Sequence, residues 1–294
     1  MAAPARPRAG TSSAARAIAA SRGLAATATR DRGLLRAFLE RDRIFAGYAL
    51  CALEDRHFDR ARWGIATRDG DPVALAMEQG GPAPQPVFLV GAPDAAEMLL
   101  REVVRPWSAY ISAPAELLPA IRALYRVEPG PPMVRMAVDR ERFRPYPGPV
   151  QRLTPAHIGE LNRMYDLGFT SWLPGEVLAD GVYYGLRVGG RLVSAAGTHA
   201  ISRSARMAIV GNVLTVPTYQ GRGYAKATTS AVTAELLREC DDLILNVRSD
   251  NPPALAAYRA LGFREHTRFE ERLAHRRAST WDAILEPLRR FFGG

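Results

Sequence analysis

Three prolines in six residues constrain the fold of this 294-residue chain more than any other feature. The stretch Arg144-Pro145-Tyr146-Pro147-Gly148-Pro149 can continue neither a helix nor a central strand, because proline lacks the backbone donor and fixes φ. It divides the chain into two halves, each too short for more than one modest core.

Both halves carry the same order of predicted elements: hairpin, strand, helix, strand, helix, strand. In the first, Arg62–Thr67 and Pro72–Met77 read as strands around the turn Arg68-Asp69-Gly70-Asp71, a hairpin signal. Pro86–Val90, a helix capped by Asp94, Trp107–Ile111, a helical Pro114–Tyr125 and the strand Met133–Val138 follow. In the second, Val182–Val188 and Arg191–His199 flank the turn Gly189-Gly190. Next come a long strand over 206–216, a helix over 224–238, a buried strand at Leu243–Val247 and a helix over 252–261 ended by Gly262, then closing strand sequence to Leu273. The expected division is a tail over 1–30, an N-terminal lobe over 31–145, a C-terminal lobe over 150–275 and a tail or helix over 276–294. Each lobe is expected to be α/β (α+β), a mixed, mostly antiparallel sheet flanked by helices.

Composition removes several function classes. No apolar run reaches the roughly 18 residues that span a membrane. The two cysteines, Cys51 and Cys240, lie in apolar helical surroundings and suggest neither a disulfide scaffold nor a zinc site. No metal is expected, and a reducing cytoplasm fits. The net charge of +9 favours anionic partners, but no aromatic–basic platform points to nucleic acid. Residues 1–30 hold five arginines and no acid. They read as a bacterial tail, with a transit peptide or a misplaced start as alternatives. The dominance of Arg over Lys, with Lys226 the sole lysine, fits a GC-rich bacterial genome.

The informative segment is Val213-Leu214-Thr215-Val216-Pro217-Thr218-Tyr219-Gln220-Gly221-Arg222-Gly223-Tyr224-Ala225-Lys226, a strand running through a glycine turn into a helix. Amides at a helix start lack intrahelical acceptors and suit a phosphate. Gly221 and Gly223 let backbone approach an anion, and Arg222 adds charge. The glycines match neither a dinucleotide fingerprint nor a Walker loop. The first half has Gly91-Ala92-Pro93-Asp94 at this place and lacks the loop.

The spacing Gln220-x-x-Gly223-x-Ala225 resembles the pyrophosphate loop of the GNAT acetyltransferase superfamily. Downstream, Asn251, Ala254 and Tyr258 stand in an Asn-x-x-Ala-x-x-x-Tyr arrangement followed by Leu261-Gly262-Phe263. This is similar to the superfamily's second acyl-CoA-binding segment. The paired-lobe order is similar to glycine N-acyltransferase-like proteins and tandem acetyltransferases.

The resemblance implies an acyl-CoA-dependent N-acyltransferase that moves an acetyl group from acetyl-CoA to an amine: a small molecule, an amino acid or a protein amine. It implies that backbone groups of Leu214 and Val216, flanking Thr215, bond the pantetheine arm, and that amides of Gly221, Arg222, Gly223, Tyr224 and Ala225 hold the pyrophosphate. It implies further that Asn251 contacts the coenzyme and that Tyr258 protonates the leaving thiolate. Many members carry a Glu on the strand before the loop. Here that strand reads Met207-Ala208-Ile209-Val210-Gly211-Asn212-Val213, without a carboxylate. Asn212 and His199 become the candidates for handling the amine's proton, with Glu176 and His266 behind them. The alternative is a non-catalytic acyl-CoA-binding sensor.

Overall fold

The computed structural model describes residues 23–166 and 173–277. In the first half, β1 (Leu24–Ala28) precedes helices over Arg32–Leu39, Gly47–Cys51 and Asp55–Phe58. Then come β2 (Ala61–Arg68), β3 (Asp71–Gln79), β4 (Gln85–Gly91), a helix over Pro93–Glu102, β5 (Ser108–Ala113), a helix over Leu118–Leu124, β6 (Tyr125–Val127) and β7 (Met133–Val138). In the second half, β8 (Val150–Arg152) leads through helices over Ile158–Tyr165 and Glu176–Asp180 to β9 (Tyr184–Val188), β10 (Arg191–Ser202) and β11 (Met207–Thr215). A helix over Tyr224–Leu236, β12 (Asp242–Arg248), a helix over Pro252–Ala260 and β13 (Arg264–Arg276) complete it.

Both predicted hairpins form. Asp69 (φ 53) with Gly70 (φ 92), and Gly189 (φ 56) with Gly190 (φ 79), take the left-handed conformations that match strand twist in two-residue turns. Each half joins one parallel strand pair across a helix: β4 to β5 in the first and β11 to β12 in the second. All other pairings among the described residues are antiparallel, so the mixed, mostly antiparallel α/β architecture is as expected.

The expected division at the proline segment needs correction. The strands form one continuous order, β1-β2-β3-β4-β5-β13-β7-β12-β11-β10-β9-β8, with β6 beside β13. The first half's last strand, β7, pairs with β12 of the second. The second half's last strand, β13, pairs with β7 through Arg264–Phe269 and with β5 through Glu270–His275. It is one strand thirteen residues long, and it belongs to both sheets. The ordered fold also starts before Asp31, since Leu24–Ala28 pairs with β2. The remaining tail residues, 1–22 and 278–294, lie outside the described residues.

Burial explains the joining. Phe45, Leu50 and Trp63 of the first half share one buried cluster with Met207, Ile209, Ile244 and Phe269 of the second. The Gly47–Cys51 helix sits directly on β11 and β12. A Cβ at Gly47 would lie 2.3 Å from Ile244 Cδ1 and 2.9 Å from Met207 Sδ. Overpacking of this kind costs about 1–3 kcal/mol. Gly47→Val is therefore expected to destabilise the whole chain by about that amount, read as a lower urea midpoint with the slope unchanged.

Both cysteines are buried and unpaired, as expected. Among the described residues no helix is long and apolar enough to cross a membrane.

Candidate active site

β11 and β12 run parallel for only three residue pairs, Met207 to Ile209 against Asp242 to Ile244. Beyond them the strands part, and a cleft of about 880 Å³ opens in the gap. Two bulges shape it. On β10, His199 is an extra residue between the pairs Thr198–Val210 and Ala200–Ile209. On β11, Asn212 and Val213 together oppose one residue, between the pairs Gly197–Gly211 and Ala195–Leu214. Asn212 takes the left-handed region, φ 51. Bulges bend a strand and re-aim its side chains. Here they turn His199 and Asn212 toward each other, with Nε2 to Oδ1 at 3.0 Å. Gly211 leaves room for the ring: a Cβ there would lie 2.4 Å from His199 Nε2.

A run of hydrogen bonds fixes the protons. Tyr183 donates its only hydroxyl proton to the Thr198 carbonyl at 2.8 Å. It must then accept from Asn212 Nδ2, at 2.7 Å. That orients the Asn212 amide with Oδ1 toward His199, so Nε2 carries the proton. Nδ1 of the neutral ring is left as an acceptor, and the Tyr48 hydroxyl donates to it at 2.7 Å. Tyr165 donates to the Asn212 backbone carbonyl. His199 is exposed to the cleft, while its ring packs against Gly211 and lies 6.1 Å from the Tyr48 ring, centroid to centroid. That crowding disfavours the cation and lowers the pKa below the ordinary 6.5; the Asn212 hydrogen bond and the Glu271 charge oppose the shift.

The other end of the cleft is the loop. Gly223 is the N-cap of the Tyr224–Leu236 helix at φ 80, and no side chain caps it. Among the described residues, none of the backbone N–H groups from Gly221 to Lys226 has an acceptor. Free amides, a helix dipole and the Lys226 ammonium converge where an anion of two phosphates would sit. Lys226 Nζ rests 3.8 Å from the Tyr146 ring centroid, so the proline segment packs against this helix; the Tyr146 amide also bonds Ser230 Oγ at 2.8 Å.

The opposite wall is the Pro252–Ala260 helix. Asn251 caps it, accepting from Ala254 N–H at 3.2 Å, so its Oδ1 is engaged and its amide nitrogen remains. Tyr258, 8 % exposed, lines the cleft. Its hydroxyl has no hydrogen-bond partner among the described residues, and burial pushes its pKa up to about 12.

His199, Asn212, Thr215, Gln220, Gly221, Gly223, Tyr224, Ala225, Asn251, Ala254 and Tyr258 thus line one cleft. Leu214, Val216 and Arg222 do not. The expected backbone role of Leu214 and Val216 is corrected by the ladder. Val216 N–H bonds the Val193 carbonyl at 2.9 Å, and its own carbonyl accepts from Tyr219. Leu214 lies two residues away, so its backbone also faces β10, and its carbonyl accepts from Ser194 Oγ. Thr215 faces the gap instead; its carbonyl takes Gln220 Nε2 at 3.2 Å, which leaves its N–H as the free donor. Arg222 stacks 5.4 Å from the Tyr219 ring centroid. Glu176 starts a short helix outside the cleft, and His266 pairs with Asp42 at 2.8 Å on another surface.

Sequence reasoning missed Tyr48 and Met133, which reach the cleft from the first half. No periodicity marks them, because only the joined sheet brings them there. Tyr183 was equally hidden, reading as one more strand residue.

Comparison with known proteins accords with this geometry. Residues 183–273 match the family model described as FR47-like protein. Over 128 residues the chain is 32 % identical to the N-alpha-acetyltransferase RimI of Mycobacterium tuberculosis, covering 40 % of this chain and 76 % of that relative. The chain belongs to the GNAT acetyltransferase superfamily. Solved structures share the GNAT fold across both halves. A Drosophila protein aligns at a TM-score of 0.67 and 14 % identity, over 85 % of this chain and 98 % of its own. A tandem GNAT protein from the clavulanic acid biosynthesis pathway aligns at 0.54 and 13 %, over 87 % and 99 %. At these identities the likeness is one of fold.

Proposed function

We propose that this chain is an acyl-CoA-dependent N-acyltransferase, moving an acetyl group from acetyl-CoA to a primary amine by direct attack. The observation that carries the reading is the cleft itself. One wall ends in six unbonded amides at a helix start, the other presents a buried phenol, and parted strands connect them. These features fit the coenzyme: the amides of Gly221 to Lys226 would hold its pyrophosphate, and Asn251 its arm. The Thr215 N–H would stabilise a developing oxyanion. Tyr258 would return a proton to the departing sulfur; the burial that disfavours its phenolate equally disfavours a bare thiolate in the same enclosure. The acceptor amine would enter from the end lined by Tyr48, Met133, His199 and Asn212. A cytoplasmic enzyme with no metal and no nucleic-acid partner is part of this reading.

The experiment is release of free coenzyme A from acetyl-CoA by purified protein, across a panel of small amines, amino acids and peptide N-termini. Acceleration by at least one amine is expected. Binding of acetyl-CoA without turnover on any amine would replace the enzyme by an acyl-CoA sensor.

Only the second half is expected to bind. In the first, the corresponding helix begins at Pro93, which has no N–H, and Asp94 places a carboxylate in the first turn. That charge opposes a phosphate. Calorimetric titration with acetyl-CoA is expected to give one site per chain; two would overturn this assignment.

A further inference from the structure

The acceptor end of the cleft poses a problem that its hydrogen bonds answer. The amine that attacks a thioester must lose a proton. His199 is the nearest imidazole, yet neither ring nitrogen offers a free lone pair to the cleft. Nε2 carries the proton that Asn212 Oδ1 accepts, and Nδ1 already accepts from Tyr48. A proton can reach Nδ1 only through the Tyr48 oxygen. Tyr48 itself lines the cleft.

Resting on the acyltransferase reading, we propose that Tyr48, supplied by the N-terminal half, is a catalytic residue that takes the proton from the attacking amine as it passes its own to His199 Nδ1. The step balances. The N–H bond of the amine breaks and an O–H bond forms on Tyr48. The original Tyr48 O–H breaks and Nδ1–H forms, leaving an imidazolium with both nitrogens protonated. After product leaves, Nδ1 hands its proton back to the Tyr48 oxygen, and the Tyr48 hydroxyl, which lines the cleft, releases its other proton to water there.

The surroundings favour the relay. Asn212 is a positioning residue: Tyr183, anchored on the Thr198 carbonyl, holds it so that Nε2 stays the donor. Arg135 is 1 % exposed. It donates to Asn246 Oδ1 at 2.9 Å and to the Phe45 carbonyl, both neutral. Its guanidinium lies 5.4 Å from the Tyr48 ring centroid, and its charge favours the negative charge that develops on that phenol. The groups bearing on this pair from the packed elements are Arg135 from β7, Glu271 from β13, and Cys51 on the helix that carries Tyr48. Arg135 favours a charged Tyr48, whereas Glu271 opposes charge on Tyr48 and favours a protonated His199, so the proton settles on the imidazole and not in solvent while Tyr48 stays neutral. Burial holds the Tyr48 phenol above its ordinary pKa, so it rests protonated and able to donate.

Tyr48→Phe keeps the ring and removes the relay oxygen. With the panel amine that wild type turns over fastest, kcat should fall by at least about 10²-fold, while acetyl-CoA still shifts the melting temperature as in wild type. His199→Gln should lose a similar factor. The double variant should lose no more than either single one, because the two act as a unit. The acid limb of kcat/KM, placed below pH 6.5 by the lowered His199 pKa, should vanish from both variants. Wild-type turnover by Tyr48→Phe, or losses that multiply in the double variant, would overturn the relay and leave the acyltransferase reading standing. A wild type that binds acetyl-CoA but acetylates no amine would overturn both. Should a variant misfold, nitrogen NMR of wild-type His199 decides the point: a neutral ring protonated on Nδ1 excludes the relay.

Discussion

Gly223→Val is expected to abolish acetyl-CoA binding while leaving the protein folded. The residue holds φ 80 at the start of the Tyr224–Leu236 helix. For an L-residue that conformation costs about 1–2 kcal/mol, and a β-branched side chain is worse placed still. A Cβ would also approach the Tyr146 hydroxyl to 3.0 Å. The loop would have to re-form, and its amides would no longer converge on one point. In wild type, ligand at 100 times Kd stabilises by about 2.7 kcal/mol, several degrees of melting temperature for a chain of this size. That shift should disappear in Gly223→Val. Gly189→Ala is the control. It carries a comparable backbone penalty at φ 56 in the β9–β10 turn, with nothing within 4 Å of the new Cβ. It should lower the melting temperature and keep the full ligand shift. A Gly223→Val protein that binds acetyl-CoA as wild type does would remove the phosphate-loop assignment.

Tyr258→Phe should lower turnover by roughly 10²-fold or more, the scale of one positioned acid. The ring packs 6.1 Å from Phe263, centroid to centroid, and phenylalanine preserves that contact. Because the hydroxyl bonds nothing among the described residues, its removal leaves no orphaned partner, and stability should change little. Acetyl-CoA affinity should hold, since the phenol matters when charge develops on sulfur. The loss should therefore appear in kcat and kcat/KM together. With the pKa pushed up to about 12, Tyr258 stays protonated throughout the neutral and mildly alkaline range. Wild type should then show no alkaline limb below that value attributable to this acid. Wild-type rates in Tyr258→Phe, with chemistry rate-limiting, would reduce Tyr258 to a core residue.

Much of this was legible in the residues, and the reasons for the gaps are local. The loop and its helix were readable because glycines at fixed offsets after a strand have few other uses, and Gly221 and Gly223 do adopt positive φ. The hairpins were readable from Asp69-Gly70 and Gly189-Gly190. Asn251 was readable as a cap, and it is one. The bulges were not. Nothing in Gly197-Thr198-His199-Ala200 announces an extra residue, since register is a property of two strands rather than one. The same blindness misassigned the backbone donors, because Leu214 and Val216 exchange roles with Thr215 once the ladder is set. Tyr48 could not be found at all from one half alone. It reads as one apolar position in a short helix, and its hydroxyl gains meaning only against a histidine 151 residues further along.

The shared strand β13 also has a consequence for how the chain comes to be folded. The edge of β5 at Ser108–Ala113 is satisfied by residues 270–275, among the last of the described chain to leave the ribosome. During synthesis the first half therefore waits with an exposed sheet edge and cannot finish early, although its hairpins and helices can already form. Contacts this distant in sequence are slow to close and leave partly formed sheets open to association. Chains truncated before Glu270 are expected to aggregate from the N-terminal side, far from the missing residues, and a rescue would come from adding back the strand rather than from stabilising either half.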